Sequence, residues 1–273
     1  MIAAAEIAAL AVRLIRAYDT ASPLPPITAT LPEFDVPAAY AVLAAIERTR
    51  IAQGWRPAGR KIGFTNRTIW PRYGVFQPMA ANIWTHTLHF ARDGRATLSL
   101  APFVQPRIEP EVVFRLAGPP PAVDDSRAIL AAVEWIAPGF EVVQSHFPEW
   151  KFTAADCTAA FGLHGALVVG APLRLDDANR RAIAERLPVF ELCLRRGEDV
   201  VDRGVGANVL DSPALALAHL VRALAALPQF PPLAAGEVIT TGTVTDAWPV
   251  RPGETWRSDY GVLGLASLTL SFA

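Results

Sequence analysis

The sequence predicts an α+β fold, a curved mixed β-sheet roll or sandwich preceded by a small N-terminal α/β portion. Three observations carry this. Helical spacing of apolar residues dominates the first fifty positions. From about residue 88 onward, short runs rich in β-branched and aromatic residues take over, punctuated by Gly and Pro. Helical stretches interrupt these runs without the regular βαβ alternation of a parallel-sheet protein.

Residues 3–17 place Ile7, Leu10, Ala11, Leu14 and Ile15 on one helical face, and residues 38–51 repeat the pattern behind Asp35, whose carboxylate suits an N-cap. The Pro-rich stretch 22–32 between them is expected to be extended or irregular, as a linker or a lid, because proline lacks an N–H and disfavours helix before it. Strands are expected at 96–100, 107–116, 139–144, 165–170, 189–196, 237–242 and 264–272, with helices at about 125–135, 176–185 and 213–226. The division that follows is a helical and α+β portion over 1–88 and a β-rich catalytic domain over 89–273.

Composition narrows the function. Half of the 273 residues are apolar, yet no run approaches the roughly 18 uninterrupted apolar residues of a membrane span. The first apolar run, from Ile7 to Ile15, is broken by Arg13 and lacks a basic leader, so a cytoplasmic location is expected. Cys157 and Cys193 suggest no disulfide framework. A net charge of -1 without a basic block argues against nucleic acid or an anionic membrane as partner and leaves a small molecule. Of the 25 basic residues only Lys61 and Lys151 are lysines, which draws attention to both, since a compact ammonium does what a planar guanidinium does badly.

In Arg107-Ile108-Glu109-Pro110-Glu111-Val112 the two carboxylates stand at i and i+2, so on a strand they leave one face together. Like charges at that spacing repel unless solvent or a cation screens them, and a hard divalent ion with oxygen ligands is one solution; a solvated strand face is the other. Glu141 lies within an apolar strand-like run between Phe140 and Val142, where a solitary charge is costly unless the strand is at an edge. The segment Thr240-Thr241-Gly242-Thr243 reads either as a strand-ending turn or as an anion cradle, its Gly allowing close backbone approach.

These and other segments together resemble the 2-keto-4-pentenoate hydratase family of the fumarylacetoacetate hydrolase superfamily. The residues are Gly59-Arg60-Lys61-Ile62-Gly63-Phe64-Thr65, Tyr73-Gly74-Val75 with Pro78, Ile108-Glu109-Pro110-Glu111, and Phe140-Glu141-Val142 with Ser145. They continue with Gly204-Val205-Gly206-Ala207-Asn208-Val209-Leu210, Gly236 to Thr243, and Asp259-Tyr260-Gly261-Val262-Leu263-Gly264. The resemblance implies a fumarylacetoacetate-hydrolase-like sheet, a homo-oligomer, and Mg²⁺ or Mn²⁺ held by Glu109, Glu111 and Glu141. It also implies that Lys61 lies in the pocket and that Thr241, Gly242 and Thr243 help hold a substrate carboxylate. An octahedral ion with three carboxylate ligands keeps positions for the carboxylate and carbonyl of a 2-oxo acid, and polarises the latter. Lys61 would offset the remaining negative charge, and would move a proton if burial lowered its pKa.

Departures from the family pattern concern the surroundings. Met79 stands where an acidic residue is usual, Gln144-Ser145-His146 replaces Asp-Ser-Arg, and Ala160-Phe161-Gly162-Leu163-His164 replaces Asp-Asn-Ala-Ser. His146 and Glu149, at i and i+3, are expected to pair on a helical turn and activate water; His164 is a further candidate, while His86, His89 and His219 show no ligand spacing. The expected activity is hydration of a 2-hydroxy-2,4-dienoate to a 4-hydroxy-2-oxo acid, as in aromatic meta-cleavage catabolism. The alternatives are decarboxylation of a 2-oxo acid or C–C hydrolysis of an acylpyruvate, and a non-catalytic binding protein on the same fold.

Overall fold

The computed structural model describes residues 2–67, 70–73 and 75–273, so Gly74 of the Tyr73-Gly74-Val75 motif lies outside the described residues. The chain opens with α1 (Ala4–Asp19), whose Leu10, Ala11, Leu14 and Ala17 are buried. It continues with α2 (Val36–Ala52), which starts as expected behind Asp35, whose side chain accepts a hydrogen bond from Ala38 N at 2.9 Å. Then follow β1 (Pro57–Gly63), α3 (Trp70–Tyr73), β2 (Met79–Trp84), β3 (Leu88–Phe90) and β4 (Arg95–Leu98). The central hairpin is β5 (Arg107–Leu116) and β6 (Val133–Val143), with α4 (Ser126–Leu130) between them. Next come α5 (Ala154–Ala159), β7 (His164–Val169), β8 (Leu173–Arg174), α6 (Arg180–Arg186), β9 (Glu191–Arg196) and β10 (Asp199–Val205). The chain ends with α7 (Pro213–Ala225), β11 (Val238–Thr240), β12 (Trp248–Pro249), β13 (Thr255–Asp259) and β14 (Leu268–Phe272).

Among the described residues these strands form two mixed sheets. One, of nine strands, has the order β2-β1-β11-β5-β6-β7-β3, with β12 beside β5 and β8 beside β6. The other, of five strands, has the order β10-β9-β13-β14-β4. Phe114, Phe140, Val168, Phe190, Trp256 and Leu270 belong to the main apolar core. A second cluster joins Leu10, Leu14, Ile27 and Ile46 to Phe147, Ala159 and Phe161, fastening the N-terminal helices to the segment after β6. The architecture is the α+β, mixed-sheet arrangement expected. Because β1 pairs in parallel with β11, residues on either side of position 88 share one sheet.

One sequence expectation changes, and one strand goes unread. The helix expected over 125–135 ends at Leu130, and Val133 begins β6, because Trp135 pairs with Arg115 on one side and Arg174 on the other. Strand β2 escapes sequence reading because all six of its residues are buried, which erases the alternation of a half-buried strand. Pro110, in the interior of β5, is tolerated for a visible reason. Its carbonyl accepts from Val244 N, so the edge that lacks an N–H faces the loop after β11 rather than β6.

Glu47, on the buried face of α2, has its pKa raised to about 7, first by burial and against the pull of Arg60 and hydrogen bonds from Asn82. A carboxyl whose folded pKa exceeds its unfolded value of 4.5 lends stability below that value and loses it as pH rises through about 7. Glu47→Gln should therefore leave stability nearly unchanged at pH 4.5 and raise it by up to about 3 kcal/mol at pH 8. Urea unfolding at the two pH values checks this, and an equal effect at both would contradict it.

Candidate active site

In the β5–β6 ladder Glu109 stands directly opposite Glu141, and Glu111 opposite Gly139. Directly opposed like charges destabilise a sheet, yet Glu111 and Glu141 are both fully buried. One oxygen from each of Glu109, Glu111 and Glu141 lies within 4.8 Å of the others. Lys61 joins them from β1, which is held beside β11 with Lys61 in register with Thr240. Its Nζ lies 3.1 Å from Glu141 Oε2, an ion pair without the directionality of a hydrogen bond.

Each buried carboxylate has one oxygen held by neighbours. Glu111 Oε2 accepts from the hydroxyl of Thr240 and from Gly242 N at 2.6 Å, while Oε1 has no hydrogen-bond partner among the described residues. Glu141 Oε1 accepts from His164 Nδ1 at 2.8 Å. Gly242 has φ of +99°, and a Cβ there would fall 1.9 Å from Thr65 Oγ1, so both conformation and space require glycine.

Burial and mutual repulsion set the protonation. Burial raises Glu109 to about 7, with Lys61 pulling it down and Glu141 pushing it up. Burial, then Glu141 and Glu109, raise Glu111 well above the carboxylate range. Glu141 is lowered, since Lys61 and His164 together outweigh its burial. For Lys61 burial opposes the charge, but Glu141, Glu109 and Glu111 outweigh it and the pKa rises. The lowered lysine pKa that sequence reasoning entertained is thus replaced by a fixed ammonium, because three carboxylates face it.

Three carboxylates and one ammonium leave a formal excess of two negative charges. Oxygens within 4.8 Å of one another suit one ion with ligands at about 2.0–2.6 Å. The unpartnered Glu111 Oε1 and an all-oxygen donor set fit a hard divalent cation.

Lys61 and Glu109 join the cluster to a cavity of about 200 Å³, which Glu111 and Glu141 do not line. Lys61, Glu109, Gly242, Thr243 and Arg107 provide its polar wall, while Phe64, Met79, Trp150, Phe152 and Leu163 provide its apolar one. Thr241 stays off this lining, its hydroxyl donating to Val112 O at 2.9 Å, and the Thr243 hydroxyl donates to Thr245 O at 3.0 Å. The three hydroxyls of the expected anion cradle are therefore already engaged within the chain, and the N–H of Gly242 holds Glu111.

The structure separates His146 from Glu149. Glu149 adopts φ of 57°, which breaks the helical turn that i,i+3 pairing requires, and its exposed carboxylate binds Lys151 at 2.5 Å. His146 is buried instead, its Nδ1 2.9 Å from Ser22 O, and burial lowers its pKa. Lys151 belongs to this surface pair. Residues 22–32 pack close by, with Leu24 N donating to His146 O and Thr28 bound to the buried Asp156. Sequence reasoning left Arg107 and Trp150 without roles, although they stack at the cavity with the guanidinium 4.1 Å from the ring centroid. The basic residue two positions before Glu109 was the available signal.

Comparison with known proteins agrees with this architecture. Residues 75–270 match the model of the fumarylacetoacetate hydrolase C-terminal family. The 2-hydroxyhexa-2,4-dienoate hydratase of Comamonas testosteroni is 31% identical over 268 residues, covering 95% of each chain. The chain belongs to the fumarylacetoacetate hydrolase family. Within that family it is also 28% identical to the 2-keto-4-pentenoate hydratase of Paraburkholderia xenovorans, over 92% of this chain and 90% of that one. Among solved family structures, the 4-oxalocrotonate decarboxylase of Pseudomonas putida G7, complexed with magnesium and adipate, superposes with a TM-score of 0.88 at 25% identity. That likeness covers 100% of this chain and 99% of the other. Among the described residues no helix is long and apolar enough to cross a membrane.

Proposed function

We propose that the chain is a divalent-metal-dependent hydratase that adds water to a 2-hydroxy-2,4-dienoate through its 2-oxo tautomer, giving a 4-hydroxy-2-oxo acid. The observation that carries this is the convergence of Glu109, Glu111 and Glu141 beside Lys61 at a small cavity. The names of the hydratase relatives over nearly the whole chain support the substrate class.

Glu109, Glu111 and Glu141 are the residues that would hold Mg²⁺ or Mn²⁺, which when bound polarises a 2-oxo group and stabilises negative charge developing on it. Lys61, kept cationic by its neighbours, attracts the substrate carboxylate. Phe64, Trp150, Phe152 and Leu163 seat the diene and exclude bulk water. The loop from Thr240 to Thr243 acts by holding Glu111 and by shaping the wall with Gly242 and Thr243. This reading carries with it a homo-oligomeric, cytoplasmic enzyme.

Decarboxylation of an oxalocrotonate-like diacid is the second reading, favoured by one observation. Met79 closes the cavity wall with a thioether where hydration calls for a proton-transferring group. Acylpyruvate hydrolysis loses support with the separation of His146 from Glu149. The test is an ultraviolet assay of freshly generated 2-hydroxypenta-2,4-dienoate and 2-oxohex-3-enedioate, with and without Mg²⁺, followed by product identification. Metal-dependent formation of 4-hydroxy-2-oxopentanoate supports hydration; CO₂ release from the diacid with an inert dienol selects the second reading.

A further inference from the structure

We propose that His164 is a positioning residue that pins one oxygen of Glu141 and leaves the other to the cation site, with Thr87 holding the imidazole from behind. The inference rests on the assignment of Glu141 as a metal ligand.

His164 is the first residue of β7, and regular alternation would aim it away from Glu141. In the β6–β7 ladder Glu141 pairs with Leu167 and Val142 with Ala166. Val143 then pairs with His164, so the register skips Gly165. Side chains alternate with a period of two, so residues 167 and 164 would face opposite sides of an unbroken strand. The extra residue reverses the parity and brings His164 to the face of Glu141, a re-aiming for which bulges serve beside functional sites. Gly165 makes this possible, since a Cβ there would lie 2.6 Å from Val142 O.

The imidazole, 2% exposed, is fixed at both nitrogens. Nδ1 lies 2.8 Å from Glu141 Oε1 and donates its hydrogen to that carboxylate oxygen, an acceptor. Nε2 shares a hydrogen bond of 2.8 Å with Thr87 Oγ1. Thr87 is itself anchored, its hydroxyl oxygen accepting from Trp84 N at 3.2 Å and its carbonyl accepting from Leu167 N at 2.8 Å. With Oε1 occupied, the carboxylate cannot rotate freely, and Oε2, 3.1 Å from Lys61 Nζ and without a hydrogen-bond partner among the described residues, is the atom left. His164 is absent from the cavity lining, so its effect passes through Glu141. Outer groups that orient a ligand in this way change metal affinity by about 10–100-fold.

The test is Mn²⁺ binding to the full-length chain, read by electron paramagnetic resonance of the free ion, for the parent, His164→Ala, His164→Asn and Thr87→Val. Metal-free melting temperature is measured for each. The expected result is an affinity lower by about 10–100-fold in His164→Ala. His164→Asn, whose amide can donate near the position of Nδ1, should recover most of the loss, and Thr87→Val should fall between. Parent-like affinity in His164→Ala would overturn the positioning role while leaving the metal site standing. Should His164→Ala not fold, parent-like affinity in both His164→Asn and Thr87→Val, or no advantage of Asn over Thr87→Val, overturns it equally. A folded parent that binds no Mn²⁺ at millimolar concentration overturns the ligand assignment itself, and the role of His164 with it.

Discussion

Glu111→Gln is expected to abolish turnover and divalent-cation binding while raising the melting temperature of the metal-free protein. The glutamine Oε1 can accept the hydrogen bonds that the Thr240 hydroxyl and Gly242 N now give to Glu111 Oε2, so the local geometry is preserved. What disappears is the carboxyl oxygen without a partner, Glu111 Oε1. Burial, Glu141 and Glu109 all oppose ionisation of Glu111, so the native carboxyl is a load on the metal-free fold. A neutral isostere should therefore stabilise the metal-free chain, by about 1 kcal/mol or more. The loss in kcat/KM should be on the order of 10³-fold or more, since a ligand worth several kcal/mol to the developing charge is removed. Thermal unfolding with and without Mn²⁺, together with the dienoate assay, reads both effects. Lower metal-free stability, or retained metal-dependent turnover, would remove Glu111 from the ligand set.

Lys61→Met is expected to act in the opposite sense on stability and in the same sense on activity. Lys61 is 3% exposed and is the cation that Glu109, Glu111 and Glu141 hold in its charged form. Removing one partner of a buried ion pair leaves uncompensated charge and costs about 3–5 kcal/mol. A divalent cation and Lys61 answer the same negative charge, so saturating Mn²⁺ should raise the melting temperature of Lys61→Met by more than it raises that of the parent. Turnover should not return with the added metal, because the variant lacks the cation at the cavity wall that attracts the substrate carboxylate. Equal metal-induced shifts in parent and variant would show that Lys61 and the metal do not share the same carboxylates.

The parts of the site that lie along one strand were legible. Glu109 and Glu111 share a face because alternation on a strand is local, and Asp35 caps α2 because a cap is satisfied within three residues. The scarcity of lysine drew attention to Lys61 before any neighbour was known, and its raised pKa then came from carboxylates on other strands. The pairing of His146 with Glu149 failed because spacing implies contact only when the backbone is helical, and Glu149 takes positive φ.

The amino-acid sequence by itself determined the fold class, the strand that carries the two carboxylates, and a resemblance strong enough to name the family. Only the tertiary structure decided that Glu109 stands opposite Glu141, that the Thr240 hydroxyl and Gly242 N–H serve Glu111 rather than a ligand, and that a bulge at Gly165 turns His164 inward. The reason is physical. Periodicity reports which face of an element is apolar, whereas the register between strands is set by packing among segments far apart in sequence, and a shift of one residue exchanges every side chain between the two faces of a sheet.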